Sequence, residues 1–319
     1  MIKKIGILTS GGDAPGMNNA LVGAIRTGCR LNKEMYVVYE GYKGLIDGNI
    51  HQVGLDFAKD KISYGGTVLK SARLKEFKEE SVRQKAVENL KKEGIDALIV
   101  IGGDGSFIGA KKLTEMGINC IGLPGTIDND IASSDITIGF DTALNTITNA
   151  IDNIVDTTSS HHRCIIVEVM GNNCPDLSTY AGIACNAHFI INKDHNIEKA
   201  NLITDLKKLK EQKEDYVLIV LSEKLLNADE LAKEIIEKTG WDTRVSVLGY
   251  IQRGGRPTAM ERFNALRMGS YAVKLLDQGI GGVCVGIKNN ELYSVDIYEG
   301  LKIERNKHLE LYDVHDLIK

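Results

Sequence analysis

The chain has 319 residues, enough for two domains of about 150 residues, each able to close its own core without disulfides or a structural metal. A hydrophobic share of 43%, a charged share of 26% and a net charge of −4 describe an ordinary globular protein with no positive excess to attract duplex nucleic acid. Six cysteines, at positions 29, 120, 164, 174, 185 and 284, form no CxxC pair and mostly lie in or beside apolar runs, so they read as reduced, buried thiols. The opening MIKKIGILTSGG has too short an apolar run for a signal segment, and nowhere do eighteen apolar residues run together, so the expected location is cytoplasmic.

In chain order, short apolar runs of parallel-strand type occur at Ile5–Leu8, Ala97–Ile101, Ile165–Val169, Tyr216–Leu221 and Val245–Leu248, alternating with amphipathic stretches. That alternation predicts α/β architecture. A helix is expected after Asp141, where Ala143, Ile147, Ala150, Ile151 and Ile154 recur at helical spacing behind Asp141 or Thr142 as cap. The charged run Lys207–Tyr216 reads as the solvated end of a helix before the next strand. With four prolines and no repeat or linker, any domain boundary is a plain crossover.

Glycines and carboxylates recur where these strands end: Gly11-Gly12-Asp13, then Gly102-Gly103-Asp104-Gly105-Ser106, then Met170-Gly171, then Glu223. Open parallel sheets bind ligands outside the carboxyl ends of their strands, so these loops should converge on a cleft. In GGDGS the glycines let backbone amides approach a phosphate, and the helix expected after Ser106 points its positive end there. Asp104 beside a polyphosphate would repel it unless a divalent cation sat between them, which makes Asp104 a magnesium holder; a strand-to-helix turn with a capping Asp fits the same letters. Neither the GxxxxGK[ST] loop nor the GxGxxG spacing is present.

In PGTIDND, Pro124 to Asp130, an extended segment would put Asp128 and Asp130 on one side beside the Thr126 hydroxyl, a group suited to taking a proton from an alcohol. An Asx-turn is the competing reading. Four arginines stand near Gly-rich or polar turns, Arg73, Arg163, Arg244 and Arg253; guanidinium forks bind phosphate bidentately, although each taken singly also suits a surface. His161 and His162 have no carboxylate or Cys at ligand spacing and read as structural.

Taken together, LTSGGDAPGMN, GGT..KSAR, VIGGDGS, GLPGTIDNDI, IGFDTAL, VEVMG and LG.IQRGG resemble the bacterial ATP-dependent 6-phosphofructokinases along essentially the whole chain. The resemblance implies the phosphofructokinase fold, two doubly wound three-layer α/β domains with mostly parallel sheets. It divides the chain into a larger nucleotide-binding domain, 1–138 plus 251–301, and a smaller sugar-phosphate-binding domain, 139–250 plus 302–319. It implies a homotetramer with active sites shared between subunits, acting in glycolysis on ATP and fructose 6-phosphate with Mg2+. On the same ground Gly12, Arg73, Leu74, Gly103, Asp104, Gly105 and Ser106 hold ATP, Asp104 its magnesium, and Asp128 takes the hydroxyl proton. Gly12 and Arg73 also belong to the catalytic set, Thr126, Ile127 and Asp130 orient the acceptor, and Met170, Gly171, Asn172 and Glu223 meet the sugar. Arg163 and Arg244 reach the 6-phosphate of a neighbouring subunit, and Tyr250 and Arg253 that of their own. Members that use pyrophosphate resemble GGDD and PKTIDND instead, so Gly105 and Gly125 point to ATP as donor.

The chain departs from this pattern in two places. Tyr250 replaces a histidine and Asn172 an arginine, each removing charge from the sugar side. In the family's effector pocket Val22 and Val155 replace arginines, Asn186 and His188 replace glycine and glutamate, and Gln212, Glu214 and Asp215 replace a lysine-rich approach, leaving Arg26. A phosphate anion there would meet repulsion, so the ADP and phosphoenolpyruvate site is expected to be degenerate. Competing readings are a kinase of another ketose phosphate, a non-catalytic or regulatory paralogue, and a lipid or NAD kinase; the last lacks PGTIDND and IQRGG.

Overall fold

The computed structural model describes residues 2–319. In chain order the elements are β1 (Lys4–Ser10), α1 (Met17–Arg30), β2 (Glu34–Val38), α2 (Gly41–Asp47), β3 (Ile50–Val53), α3 (Glu80–Glu93), β4 (Ala97–Gly102), α4 (Asp104–Glu115), β5 (Asn119–Thr126) and β6 (Ile138–Gly139). They continue with α5 (Phe140–Ser159), β7 (Cys164–Val169), α6 (Asp176–Ala184), β8 (Phe189–Ile191), α7 (Lys199–Glu211), β9 (Val217–Ser222), α8 (Ala228–Thr239), β10 (Thr243–Val247), α9 (Ala259–Asp277), β11 (Val283–Lys288), β12 (Glu291–Asp296), α10 (Ile297–Gly300) and α11 (Glu310–Ile318).

The chain forms two compact units, one made of the chain up to Thr142 with Arg253–Arg305, the other of Ala143–Gln252 with Asn306–Lys319. The first unit holds the sheet β12-β11-β5-β4-β1-β2-β3, with β6 pairing beside β5. Its central strands run parallel, and only the outer pairs β2–β3 and β11–β12 are antiparallel. Strands buried on both faces need unbroken apolar runs, which is why ALIVI in β4 is fully buried. Leu8, Leu98, Val100, Phe107, Leu113 and Leu90 pack into one of its cores. The second unit is an all-parallel sheet in the order β10-β7-β9-β8. Ile166, Ile219, Leu206, Leu231 and Trp241 fill its core. α11 docks on this unit through Tyr312, whose hydroxyl donates to Asn192 Oδ1 at 3.0 Å, and the buried His315 ring, 2.6 Å from the Ala187 carbonyl.

Most sequence expectations agree with these elements. The five apolar runs lie in or beside β1, β4, β7, β9 and β10, the helix after Asp141 is α5, and Lys207–Tyr216 spans the end of α7 and the approach to β9. Along α5, Ala143, Ile147 and Ile151 are buried. The helix opens at Phe140, so Asp141 and Thr142 lie within its first turn and do not cap it from outside. All six cysteines are free; four are buried, whereas Cys29 and Cys185 reach the surface in part. Among the described residues no helix is long and apolar enough to cross a membrane.

The first unit's geometry depends on how closely α1 and α9 cross. A Cβ on Gly23 would stand 2.2 Å from the Leu266 carbonyl oxygen, and one on Gly269 2.0 Å from that of Ala20. Thr27 Oγ1 donates to Ser270 Oγ at 2.8 Å along the same seam. Since α1 follows the first glycine loop, this crossing sets where that loop sits. Gly269→Ala should therefore force the helices apart and cost about 1–3 kcal/mol, an overpacking penalty read as a lower urea midpoint at unchanged slope.

Candidate active site

The register of the first unit's sheet aligns three strand ends. Ser10 of β1 lies opposite Gly102 of β4, and Gly102 lies opposite Pro124 of β5. Neighbouring strands are about 4.8 Å apart, so the loops that leave them emerge side by side. Gly12, the Gly103–Ser106 segment and the Thr126–Asp130 segment therefore share one edge of one sheet. Arg73 and Leu74 join them through the segment before, which is sewn to the end of β1. The Thr9 hydroxyl lies 2.8 Å from that of Thr67 and donates to the Lys70 carbonyl at 2.9 Å, and the Ser71 hydroxyl donates to the Gly11 carbonyl at 2.7 Å. Leu74 then packs on the core, and Arg73 is exposed.

The second loop differs from expectation at its helix. α4 begins at Asp104, not after Ser106, because Gly103 is extended and its carbonyl already accepts from the Ser106 amide at 2.9 Å and the Phe107 amide at 3.1 Å. Ser106 is thus buried inside the first turn, while Asp104 and Gly105 reach solvent at the helix start. Asp104 is held above the usual carboxylate range, first by desolvation in this crowded loop and then by the charge of Asp130. A pair of carboxylates that oppose each other's ionisation is relieved by a divalent cation, so the donor set fits a magnesium ion held through Asp104.

The third loop also differs. β5 ends at Thr126, and the Asp128 amide donates back to Thr126 Oγ1 at 3.2 Å, so the chain bends where an extended run was expected. Asn129 takes a left-handed φ of 54°. Its Oδ1 accepts from the Thr137 amide at 2.9 Å, and its Nδ2 donates to the Asp135 carbonyl at 3.3 Å. The turn, and not two-residue alternation, sets where Asp128 and Asp130 stand. Ile127 is buried beneath it, and Thr126, Asp128 and Asp130 are half-buried. Beside the loops Arg253 pairs with Asp13 at 2.5 Å. The sequence marks Asp13 within the Gly11-Gly12-Asp13 run without a role of its own; the structure adds its pairing with Arg253. A pocket of about 220 Å³ opens between Asp104, Asp130, Ser133, Leu301 and Arg305.

In the second unit the residues expected to meet the sugar phosphate divide. Met170, Gly171 and Asn172 follow β7, Glu223 follows β9 and Tyr250 follows β10, all at the carboxyl edge. The Met170 amide donates to Gln252 Oε1 at 3.0 Å, and the Asn172 amide donates to Glu223 Oε1 at 2.9 Å. Tyr250 is 81% exposed. Two further residues of this edge escaped the sequence reading: Gln252, fully buried, and Lys224, whose ammonium donates to Asn172 Oδ1 at 2.8 Å. Arg163 and Arg244 instead sit at the amino ends of β7 and β10, both paired with Asp242, at 2.7 and 3.0 Å. Six strand residues separate Arg163 from Met170, a rise of about 20 Å, so one chain does not bring these arginines to its own Met170–Asn172 loop. His161 and His162 are exposed, and no group of three or more metal-binding side chains occurs among the described residues.

The chain matches the family model "Phosphofructokinase" over residues 4–276. It is 54% identical over 302 residues to the ATP-dependent 6-phosphofructokinase of Vibrio vulnificus strain YJ016, covering 95% of this chain and 94% of that protein. The same enzyme of Vibrio campbellii is 53% identical over 315 residues, 98% of each chain. Among solved structures, phosphofructokinase from Saccharomyces cerevisiae superposes with a TM-score of 0.91 at 31% identity, over 98% of this chain and 50% of the yeast chain. The chain belongs to the phosphofructokinase family.

Proposed function

We propose that this chain is an ATP-dependent 6-phosphofructokinase, transferring the γ-phosphoryl group of ATP to the 1-hydroxyl of fructose 6-phosphate. The observation that carries this reading is the side-by-side register of Ser10, Gly102 and Pro124, which gives a phosphate cradle, a metal-suited carboxylate and a candidate base one shared edge. The first unit would take the nucleotide and the second the sugar phosphate. Backbone amides of Gly12 and Gly103–Ser106, with Arg73 beside them, would hold the phosphates, and Leu74 would line the nucleotide. Magnesium bound through Asp104 would supply charge neutralisation between the phosphates. Asp128 would accept the proton of the attacking hydroxyl, with Thr126 and Asp130 orienting it and Ile127 packing beneath. Phosphoryl transfer needs chiefly positioning and charge stabilisation, which suits a set of glycines, arginines and one base.

For the sugar phosphate, Met170, Gly171, Asn172, Glu223, Tyr250 and Arg253 would act within one chain. Arg163 and Arg244, at the opposite edge of the second unit's sheet, would serve a neighbouring copy, which is the reason to propose a homo-oligomer with shared sites. Cytoplasmic glycolysis is the setting this activity implies.

Asp128→Asn removes the base without changing the side chain's size and should lower kcat by about 10²–10⁴-fold with little change in KM for ATP. Coupled ADP-release kinetics on purified protein check it, and an undiminished kcat would remove Asp128 from the role. The effector pocket is proposed to be silent. Glu214 stands 3.8 Å from His188 Nε2 and Asp215 stands 3.7 Å from His162 Nδ1, so an arriving phosphate faces carboxylates there. Millimolar ADP or phosphoenolpyruvate should leave half-saturation by fructose 6-phosphate where it is, and a marked shift would overturn this assignment.

A further inference from the structure

Glu261 lies in the first turn of α9 with only 2% of its surface exposed, a carboxyl group sealed inside the first unit. Its Oε2 accepts from the Thr142 amide and from the Thr142 hydroxyl, each at 3.3 Å, in the first turn of α5. α9 is tied back in the same way. Thr258 accepts from the Glu261 amide at 3.1 Å, donates its hydroxyl to Asp141 Oδ2, and donates its own amide to Thr142 Oγ1 at 3.3 Å. Two helix starts thus cap each other through side chains, an arrangement that satisfies amide groups neither helix can bond internally.

Three segments of the candidate site meet at this clasp. Gly139, whose amide also bonds the Glu261 carboxyl, is the last residue of β6 and pairs with Thr126. A Cβ on Gly16, at the end of the loop that begins at Gly11, would lie 2.9 Å from Glu261 Cγ and 3.0 Å from Oε1. α9 itself starts shortly after Arg253. The charged group facing Glu261 from α5 is Asp141; β6 offers the Gly139 amide and the apolar Ile138, and the first loop offers Gly16.

We propose that Glu261 is a positioning residue for the phosphoryl-transfer site: its ionised carboxylate holds the end of β6 and the start of α5 beside Thr126–Asp130, and protonation loosens that hold. This rests on the function argued above. As a carboxylate the group accepts from the Gly139 amide and from the Thr142 amide and hydroxyl; a proton on either oxygen replaces an acceptor with a donor that faces other donors. Burial raises the group to about 7, the Gly139 and Thr142 donors oppose that rise and Asp141 adds to it, so the switch falls in the neutral range.

The consequences for stability and for turnover run in opposite directions. Because the folded state holds this proton more tightly than the unfolded chain, its contribution to stability is complete below the ordinary glutamate range and is lost as pH rises towards about 7. Turnover should instead rise through the same interval. A merely structural role would move both together.

The test is Glu261→Gln in the full chain, an uncharged side chain of the same size, with kcat measured at saturating ATP and fructose 6-phosphate between about pH 5 and pH 9. Wild type should show a one-proton rise near neutrality, whereas E261Q should keep the acid-side value throughout. E261Q should also gain thermal midpoint over wild type more at alkaline than at acid pH. A neutral-range step that persists unchanged in E261Q overturns the proposal. Hydrogen exchange across residues 126–142, corrected for intrinsic rates, reads the clasp without turnover. It should be faster in E261Q than in wild type at alkaline pH and equal in the two on the acid side. Equal protection of the two proteins at alkaline pH overturns the proposal whatever the substrate, while a wild type inert towards fructose 6-phosphate would instead count against the function.

Discussion

The constraint on which this protein depends is the parallel register of β1, β4 and β5. Once Ser10, Gly102 and Pro124 stand abreast, every loop that leaves those strands must emerge at one edge, within a few strand spacings of the others. A one-residue slip in any of them would reverse which face its side chains meet, and the buried runs of β1 and β4 make such a slip costly. Core burial and site geometry are therefore one requirement. The apolar strands that hold the first unit together also deliver its polar loops.

Around that edge, chemistry is arranged by backbone more than by side-chain charge. α4 starts at Asp104, which puts a carboxylate and the helix's positive end at the same point. Desolvation first, and then the charge of Asp130, disfavour a carboxylate there, a balance that a bound cation would reverse. The left-handed Asn129 turns the chain just after β5. The two mutually capped helix starts tie β6, α5 and α9 together.

Much of this could be read from the letters, and what could not has identifiable reasons. Buried parallel strands announce themselves as apolar runs, so β1, β4, β7, β9 and β10 were visible, as was the inward face of α5. β5 was not, since NCIGLPGT carries two glycines and a proline that normally punctuate loops. α1 was hidden for a similar reason: Gly23 weakens the helical pattern, yet it is there because α9 passes too close for a side chain. The hairpin β11–β12 turns on Asn289 and Asn290, both left-handed, a signal legible in principle. The side-by-side placement of Asp128 and Asp130 was expected from strand alternation and arises from a turn instead, because the Thr126 hydroxyl and Asn129 side chain outcompete the extended backbone. Glu261 in AMERFNALRMG looks like any solvated helical charge; only its tertiary neighbours reveal that it is buried. The division of the sugar-side residues between two edges of the second unit's sheet also required knowing where each strand begins.

The central claim is that one edge of the first unit holds a metal at Asp104 and the terminal phosphate within reach of Asp128. Crystals grown with Mn2+ and a non-hydrolysable ATP analogue, measured for anomalous scattering at the manganese edge, test it directly. A manganese peak is expected within bonding distance of the Asp104 carboxylate and of a phosphate oxygen, with the terminal phosphate facing Asp128. A metal bound away from Asp104, or a terminal phosphate directed away from Asp128, would contradict it.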